Sequence, residues 1–207
     1  VSNRYLMLVN EGERSRDSYY EMRWKAFCDG DKKAFGEIAE FHYGALHHYG
    51  TRFTSDRDVI KDCLQDLFVQ IWEKRELLHE VSSMKSYLFQ SVRNNLIHIL
   101  KKKSLFLDVD QIDLEKLDCE ISPETSWIIG EDQLLTQLKL KEAISQLPKR
   151  QKEALYLRYY QNMSYEEIAA VMGLQRQAVA NYLQYGIQKL RENWLPTLST
   201  VLALIEF

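Results

Sequence analysis

Apolar residues recur along much of this chain at the spacing of one helix face. From about Asp31 to Phe53 they fall at Ala34/Phe35, Ile38, Phe41, Ala45, Tyr49 and Phe53, which predicts an amphipathic helix buried along that stripe. Thr54-Ser55-Asp56 offers N-cap oxygens for a second helix. Its stripe is Ile60, Leu64, Leu67/Phe68 and Ile71/Trp72, and its opposite face carries Asp58, Asp62, Gln65, Asp66 and Glu73. A third helix, about Met84 to Lys103, buries Leu88, Val92, Leu96 and Leu100 and exposes Gln90, Arg93, Asn94 and Lys101-Lys102-Lys103. Lysines in a last turn complement the helix dipole, so that run alone says nothing about nucleic acid.

The sharpest local signal comes later. Ser164-Tyr165-Glu166-Glu167 reads as a capping box, and Ile168, Ala169 and Met172 lead to Gly173 where a helix end needs positive φ. Val179, Leu183, Ile187 and Leu190 then line a further helix. A short helix, a glycine turn and a second helix at this spacing describe a helix-turn-helix. On spacing alone, a capped helical hairpin with no DNA role stays open beside the DNA-binding one.

With eight Gly and three Pro in 207 residues, the expected fold class is all-α. Charge divides the chain. Residues 22–103 hold 14 basic against 11 acidic residues, 104–133 hold one against nine, and 134–194 hold nine against five. Two mildly basic helical domains thus flank an acidic linker with weak periodicity. A polar N-terminal extension (1–21), either disordered or a short helix, and an apolar C-terminal tail (195–207) complete the plan. The tail is too short to span a bilayer, and packing as an extra helix is preferred to an exposed inhibitor-binding surface.

No apolar run reaches membrane-spanning length and no leader pattern opens the chain, so a cytoplasmic protein is expected. Cys28, Cys63 and Cys119 are odd in number and far apart, as buried thiols in a reducing compartment would be. His42, His47 and His48 stand at spacings that do not share a helix face, so no metal site is expected. There is no nucleophile elbow, phosphate loop or metalloprotease motif. An enzyme, a cofactor and a small-molecule substrate are therefore not expected.

Taken together, four segments resemble sigma factors of bacterial RNA polymerase, of the compact extracytoplasmic-function (ECF) type. They are DCLQDLFVQIWEKR at 62–75, MKSYLFQSVRNNLI at 84–97, LPKRQKEALYLRY at 147–159, and MSYEEIAAVMGL at 163–174 with QKLR at 188–191. The resemblance covers regions 2 and 4 of that family, over roughly 22–194. It implies that Asp62, Gln65 and Asp66, with Trp72, Lys74 and Arg75 further along, dock on the clamp helices of the polymerase β′ subunit. An exposed acidic and amide face suits arginines on a partner.

The resemblance also places downstream promoter recognition and melting on Lys85, Ser86, Arg93, Asn94 and Asn95, with Lys101, Lys102 and Lys103 on phosphate. Opening DNA requires polar groups for base edges and surfaces for stacking; Tyr87 and Phe89 could stack on bases, with a place in the core preferred for each. The upstream element falls to Arg176, Gln177, Asn181, Tyr182, Gln184 and Lys189. Gln and Asn can read adenine and Arg can read guanine, but this helix is less basic than is usual in the family, so its phosphate attraction is weaker. The acidic linker, with Asp108, Asp110, Asp113, Glu115, Asp118 and Glu120, matches the connector that threads the polymerase. Core polymerase and promoter DNA are the implied partners, and an anti-sigma factor is a further candidate. A stand-alone helix-turn-helix regulator, or an interaction module whose helix-turn-helix no longer meets DNA, remain the alternatives.

Overall fold

The structure, a computed structural model, describes residues 19–104 and 140–205, with side chains over 19–102 and 140–192. Every regular element among the described residues is a helix, and none is a strand. The order is α1 (19–28), α2 (Lys32–Gly50), α3 (Arg57–Glu73), a 3-10 turn at Arg75–Leu78, α4 (Met84–Ser104), α5 (140–145), α6 (Lys149–Leu155), a π-helical turn at Tyr156–Tyr160, α7 (Tyr165–Met172) and α8 (Arg176–Ile205). The described residues fall into two compact units, one within Val1–Gly50 and Asp56–Ile99 and the other within Thr51–Ser55 and Leu100–Phe207. The acidic linker lies outside the described residues, as do the side chains of the C-terminal tail. Helix α8 itself runs on to Ile205 without a break at residue 194.

Local chemistry sets most helix boundaries in the first unit. The Asp31 carboxylate accepts from the Lys33 and Ala34 amides at the start of α2, and Asp56 does the same for Asp58 and Val59 at α3. Each satisfies amides that a helix start otherwise leaves unpaired. Helix α4 is capped from afar: the Glu21 carboxylate of α1 accepts from the Met84 amide at 3.0 Å. On α1 too, the Trp24 indole donates to the Leu78 carbonyl at 3.3 Å. The core beneath is built from Phe27, Ile38, Leu46, Tyr49, Ile60, Leu64, Leu67, Ile71, Leu88, Phe89, Val92 and Leu96. At Gly50 the helices approach so closely that a Cβ would stand 2.7 Å from Ile60 Cγ2.

The stripe of α2 differs from the one its apolar residues predict. Phe41 is exposed and stacks on Tyr20 of α1 at 3.9 Å, while His42 is buried beside it. Tyr20 gives Phe41 a partner outside the core, which shifts the buried line to Ile38, His42, Leu46 and Tyr49. The helix ends at Gly50 rather than Phe53.

In the second unit α8 packs on α6 and α7. The capping box forms in both directions: the Glu167 amide donates to Ser164 Oγ at 3.1 Å and the Ser164 amide to Glu167 Oε2 at 2.8 Å. Gly173 ends α7 at φ 63°, a conformation in which a side chain is strained. Val179 and Leu183 are buried, as are Leu157, Met163, Ile168 and Met172 of the same unit; Ile187 and Leu190 are only half-buried. The resulting helix-turn-helix comprises α7 and the first turns of α8.

Candidate functional site

On α3, Ile60, Cys63, Leu64, Leu67 and Ile71 are buried, and at 100° per residue the opposite face holds Asp58, Asp62, Gln65, Asp66, Val69 and Glu73. All six are exposed, so the structure gathers Asp62, Gln65 and Asp66 on one ridge. Beside that ridge an open groove of about 840 Å³ runs along α2 and α3. Phe35, Tyr43, Phe68, Val69 and Trp72 give it an apolar lining, with Gln65 on its edge and Lys32, Lys61 and Glu73 as its charges. Trp72 thus belongs to the groove and Asp62 and Asp66 to the ridge. Arg75 lies over the Trp72 ring at 4.9 Å, with its Nη1 donating to the Trp72 carbonyl at 2.9 Å. Lys74 is exposed at the end of α3. The groove was not anticipated, although exposed Val69 on an otherwise polar face was a readable sign of it.

The residues assigned to the downstream element are spread over α4. Asn94 and Lys101 share one exposed stripe, with half-buried Gln90 alongside. Half-buried Asn95 and exposed Lys102 share a second, about 100° further round. Arg93 and Lys85, both half-buried, stand on other faces. Ser86 is buried, with no hydrogen-bond partner for its Oγ among the described residues. Phe89 is in the core and Tyr87 is half-buried. The Lys103 side chain lies outside the described residues. Near the start of α4, burial and, secondarily, the Lys85 charge push the His42 imidazole down to about 4. Its Nε2 has no hydrogen-bond partner among the described residues.

On α8, Gln177, Asn181 and Gln184 are exposed on one outward stripe, Lys189 is exposed to one side of it, and Tyr182 is half-buried on the flank nearer the core. Gln177 and Asn181 also bond to each other, Nε2 to Oδ1 at 3.2 Å. Arg176 is drawn elsewhere. Its Nε donates to Glu166 Oε1 of α7, and its guanidinium lies 5.6 Å from the Tyr165 ring. Arg158 approaches the same ring at 5.3 Å and donates to the Met163 carbonyl at 2.8 Å. The Glu166 carboxyl is held below its ordinary value, first by a backbone hydrogen bond and then by Arg176, so it is ionised at neutral pH. Tyr165 and Glu166 were seen only as helix-start residues, because pairing with Arg176 ten positions later needs the folded hairpin. A second groove, about 790 Å³, brings Gln146, Lys149 and Arg150 beside Tyr182. It is lined by three cations, counting Lys152, and by no acidic side chain.

Comparison with known proteins completes the picture. The sigma-70 region 2 model matches residues 38–105, and the sigma-70 region 4 model matches residues 137–190; together they cover more than half of the chain. The sigma-E factor of Escherichia coli K12 is 26% identical over 151 residues, covering 69% of this chain and 77% of that protein. The ECF sigma factor SigM of Bacillus subtilis is 24% identical over 162 residues, covering 75% and 91%. RpoE of Cereibacter sphaeroides is 21% identical over 174 residues, covering 79% and 87%. Among solved structures, the sigma factor RpoE of Bartonella quintana, in complex with the anti-sigma factor NepR, superposes with a TM-score of 0.58 at 23% identity. It covers 78% of this chain and 97% of that one. CnrH, solved with the cytosolic domain of CnrY, gives 0.54 at 20% identity, covering 83% and 94%. No described helix is long and apolar enough to cross a membrane.

Proposed function

The chain belongs to the sigma-70 family as an ECF-type sigma factor of RNA polymerase, and from that premise we propose how its surfaces divide the work. The Asp62/Gln65/Asp66 ridge of α3 docks on the clamp helices of β′, with Trp72, Lys74 and Arg75 extending the contact. An exposed carboxylate ridge on a rigid helix offers charge-assisted pairing to partner arginines and disfavours acidic competitors. Unit by unit, residues 22–103 bind polymerase and open the downstream element. Residues 134–194 address the upstream element, and 104–133 connect the two.

On α4, the Asn94/Lys101 stripe carries the base-edge and phosphate contacts, flanked by Arg93, Asn95 and Lys102. Ser86, being buried, supports the start of α4. On α8, Gln177, Asn181 and Gln184 read base edges in the major groove. Lys149, Arg150 and Lys189 meet phosphate, which positions the protein without specifying sequence. The protein is read as a non-enzymatic subunit acting in the cytoplasm. An anti-sigma factor is proposed as a second class of partner, supported by the solved relatives held by NepR and CnrY.

The observation that carries this reading is the shared exposure of Asp62, Gln65 and Asp66 on one face of a helix whose other face is core. Co-elution of the purified chain with core RNA polymerase on size exclusion tests it, alongside Asp66→Arg. Wild type is expected to co-elute and the variant to elute free. A folded Asp66→Arg protein that still co-elutes would remove the ridge from the interface. Absence of binding by folded wild type would overturn the polymerase assignment for this chain.

A further inference from the structure

We propose that Glu166 competes with DNA phosphate for Arg176, and thereby sets how weakly the helix-turn-helix holds the upstream duplex. The inference rests on the reading of α8 as the DNA-facing helix. Between Arg158 and Lys189 the chain contains a single Lys or Arg, Arg176. The same interval contains two acids, Glu166 and Glu167, and Glu167 is engaged in the capping box. The one cation of the motif is therefore bonded to its one uncommitted acid. In a helix-turn-helix the first helix crosses the DNA backbone, and Glu166 is the second residue of that helix. An ion pair presents no net charge there. It displaces no counterion from DNA, and counterion release is what phosphate binding draws on.

The pair is also held in place. Both side chains are well exposed, at 62% and 65%, and an exposed pair alone contributes little. Here the Tyr165 ring has guanidinium groups near it from both Arg158 and Arg176. Arg158 is fixed in turn to the Met163 carbonyl. The Glu166 carboxylate and the Tyr165 ring, both on α7, together hold the Arg176 head there. Duplex brought close by polymerase can still exchange its phosphate for the carboxylate, because the displaced Glu166 returns to solvent. The helix-turn-helix then binds firmly only when DNA is delivered to it.

A double-mutant cycle on the full chain separates this role from simple charge repulsion. Wild type, Glu166→Gln, Arg176→Gln and the double variant are matched for helical content by circular dichroism. Each is titrated with a fluorescent random-sequence duplex of about 30 base pairs across a range of salt. Glu166→Gln is expected to steepen the log–log salt dependence by about 0.9 and to tighten binding about eightfold near 0.1 M salt, the worth of one added phosphate contact. Arg176→Gln changes little in the wild-type background and abolishes the gain in the Glu166→Gln background. A gain that survives Arg176→Gln overturns the proposal, since Glu166 would then act only as a like charge. Weaker binding by Glu166→Gln overturns it in the other direction, showing that the carboxylate supports Arg176 on DNA. If all four proteins bind with equal slopes, the inference fails, and the DNA assignment of α8 stands only where Asn181→Ala weakens that binding, because Lys101 and Lys102 of α4 also hold duplex. If none binds duplex while all co-elute with polymerase, both fail.

Discussion

Replacing His42 by Leu removes a titrating group from the core at nearly constant volume. The imidazole is 3% exposed, near the rings of Phe41 at 4.9 Å and Tyr20 at 5.8 Å. Burial and the Lys85 charge lower it from 6.5 to about 4. Between those values the unfolded chain holds a proton that the folded one refuses, so stability rises with pH across the window. The neutral-form contribution is complete above about pH 6.5 and is lost as pH falls toward 4. The full span is worth about 3 kcal/mol, of which about 2 kcal/mol is lost between pH 7.5 and pH 5. That upper part of the window lies mostly above the carboxylate range. Urea unfolding reads it through Trp24 and Trp72 of the same unit, in a background where Trp127 and Trp194 are Phe. Wild type is expected to lose about 2 kcal/mol relative to His42→Leu over this interval. The variant is also expected to be at least as stable at pH 7.5, since it relieves a buried nitrogen that lacks a hydrogen-bond partner among the described residues. Equal pH slopes in the two proteins would refute the reasoning.

Two further outcomes follow from local geometry. Gly50→Ala forces a methyl to 2.7 Å from Ile60 Cγ2 and should destabilise the first unit by about 1–3 kcal/mol, read as a lower urea midpoint at unchanged m. Ser164→Ala removes the oxygen that accepts from the Glu167 amide and should cost about 1 kcal/mol in the second unit, seen as a lower thermal midpoint by circular dichroism.

What could be read from the chain was whatever its own neighbours determine. Asp56, Ser164, Glu167 and Gly173 act within a few residues of themselves, and each stands in the role its sequence context implies. The acidic face of α3 was legible because period and burial agree along the whole helix. Phe41 and His42 exchanged places because Tyr20, some twenty residues earlier, supplies a stacking partner that periodicity cannot contain. The partnership of Arg176 with Glu166 was hidden for the same reason: the residue type suggested DNA, and the hairpin brought an acid to it. The apolar groove on α2 and α3 needed two helices at once.

The fastening of α1 bears on how the first unit assembles during synthesis. Its two long-range bonds, Trp24 to the Leu78 carbonyl and Glu21 to the Met84 amide, bridge 54 and 63 residues. Helix α1 must therefore wait for the 3-10 turn before its first bond can close and for the start of α4 before the second can. Contacts at such separations slow folding, because the intervening chain has to be ordered before they form. Until then the Met84 end of α4 lacks its carboxylate cap and the Trp24 indole lacks its acceptor. Helix α1 can meet α2 early, through Arg23–Glu37 and Tyr20–Phe41, but its seal against the far end of the unit comes only when residues 78–84 have been made.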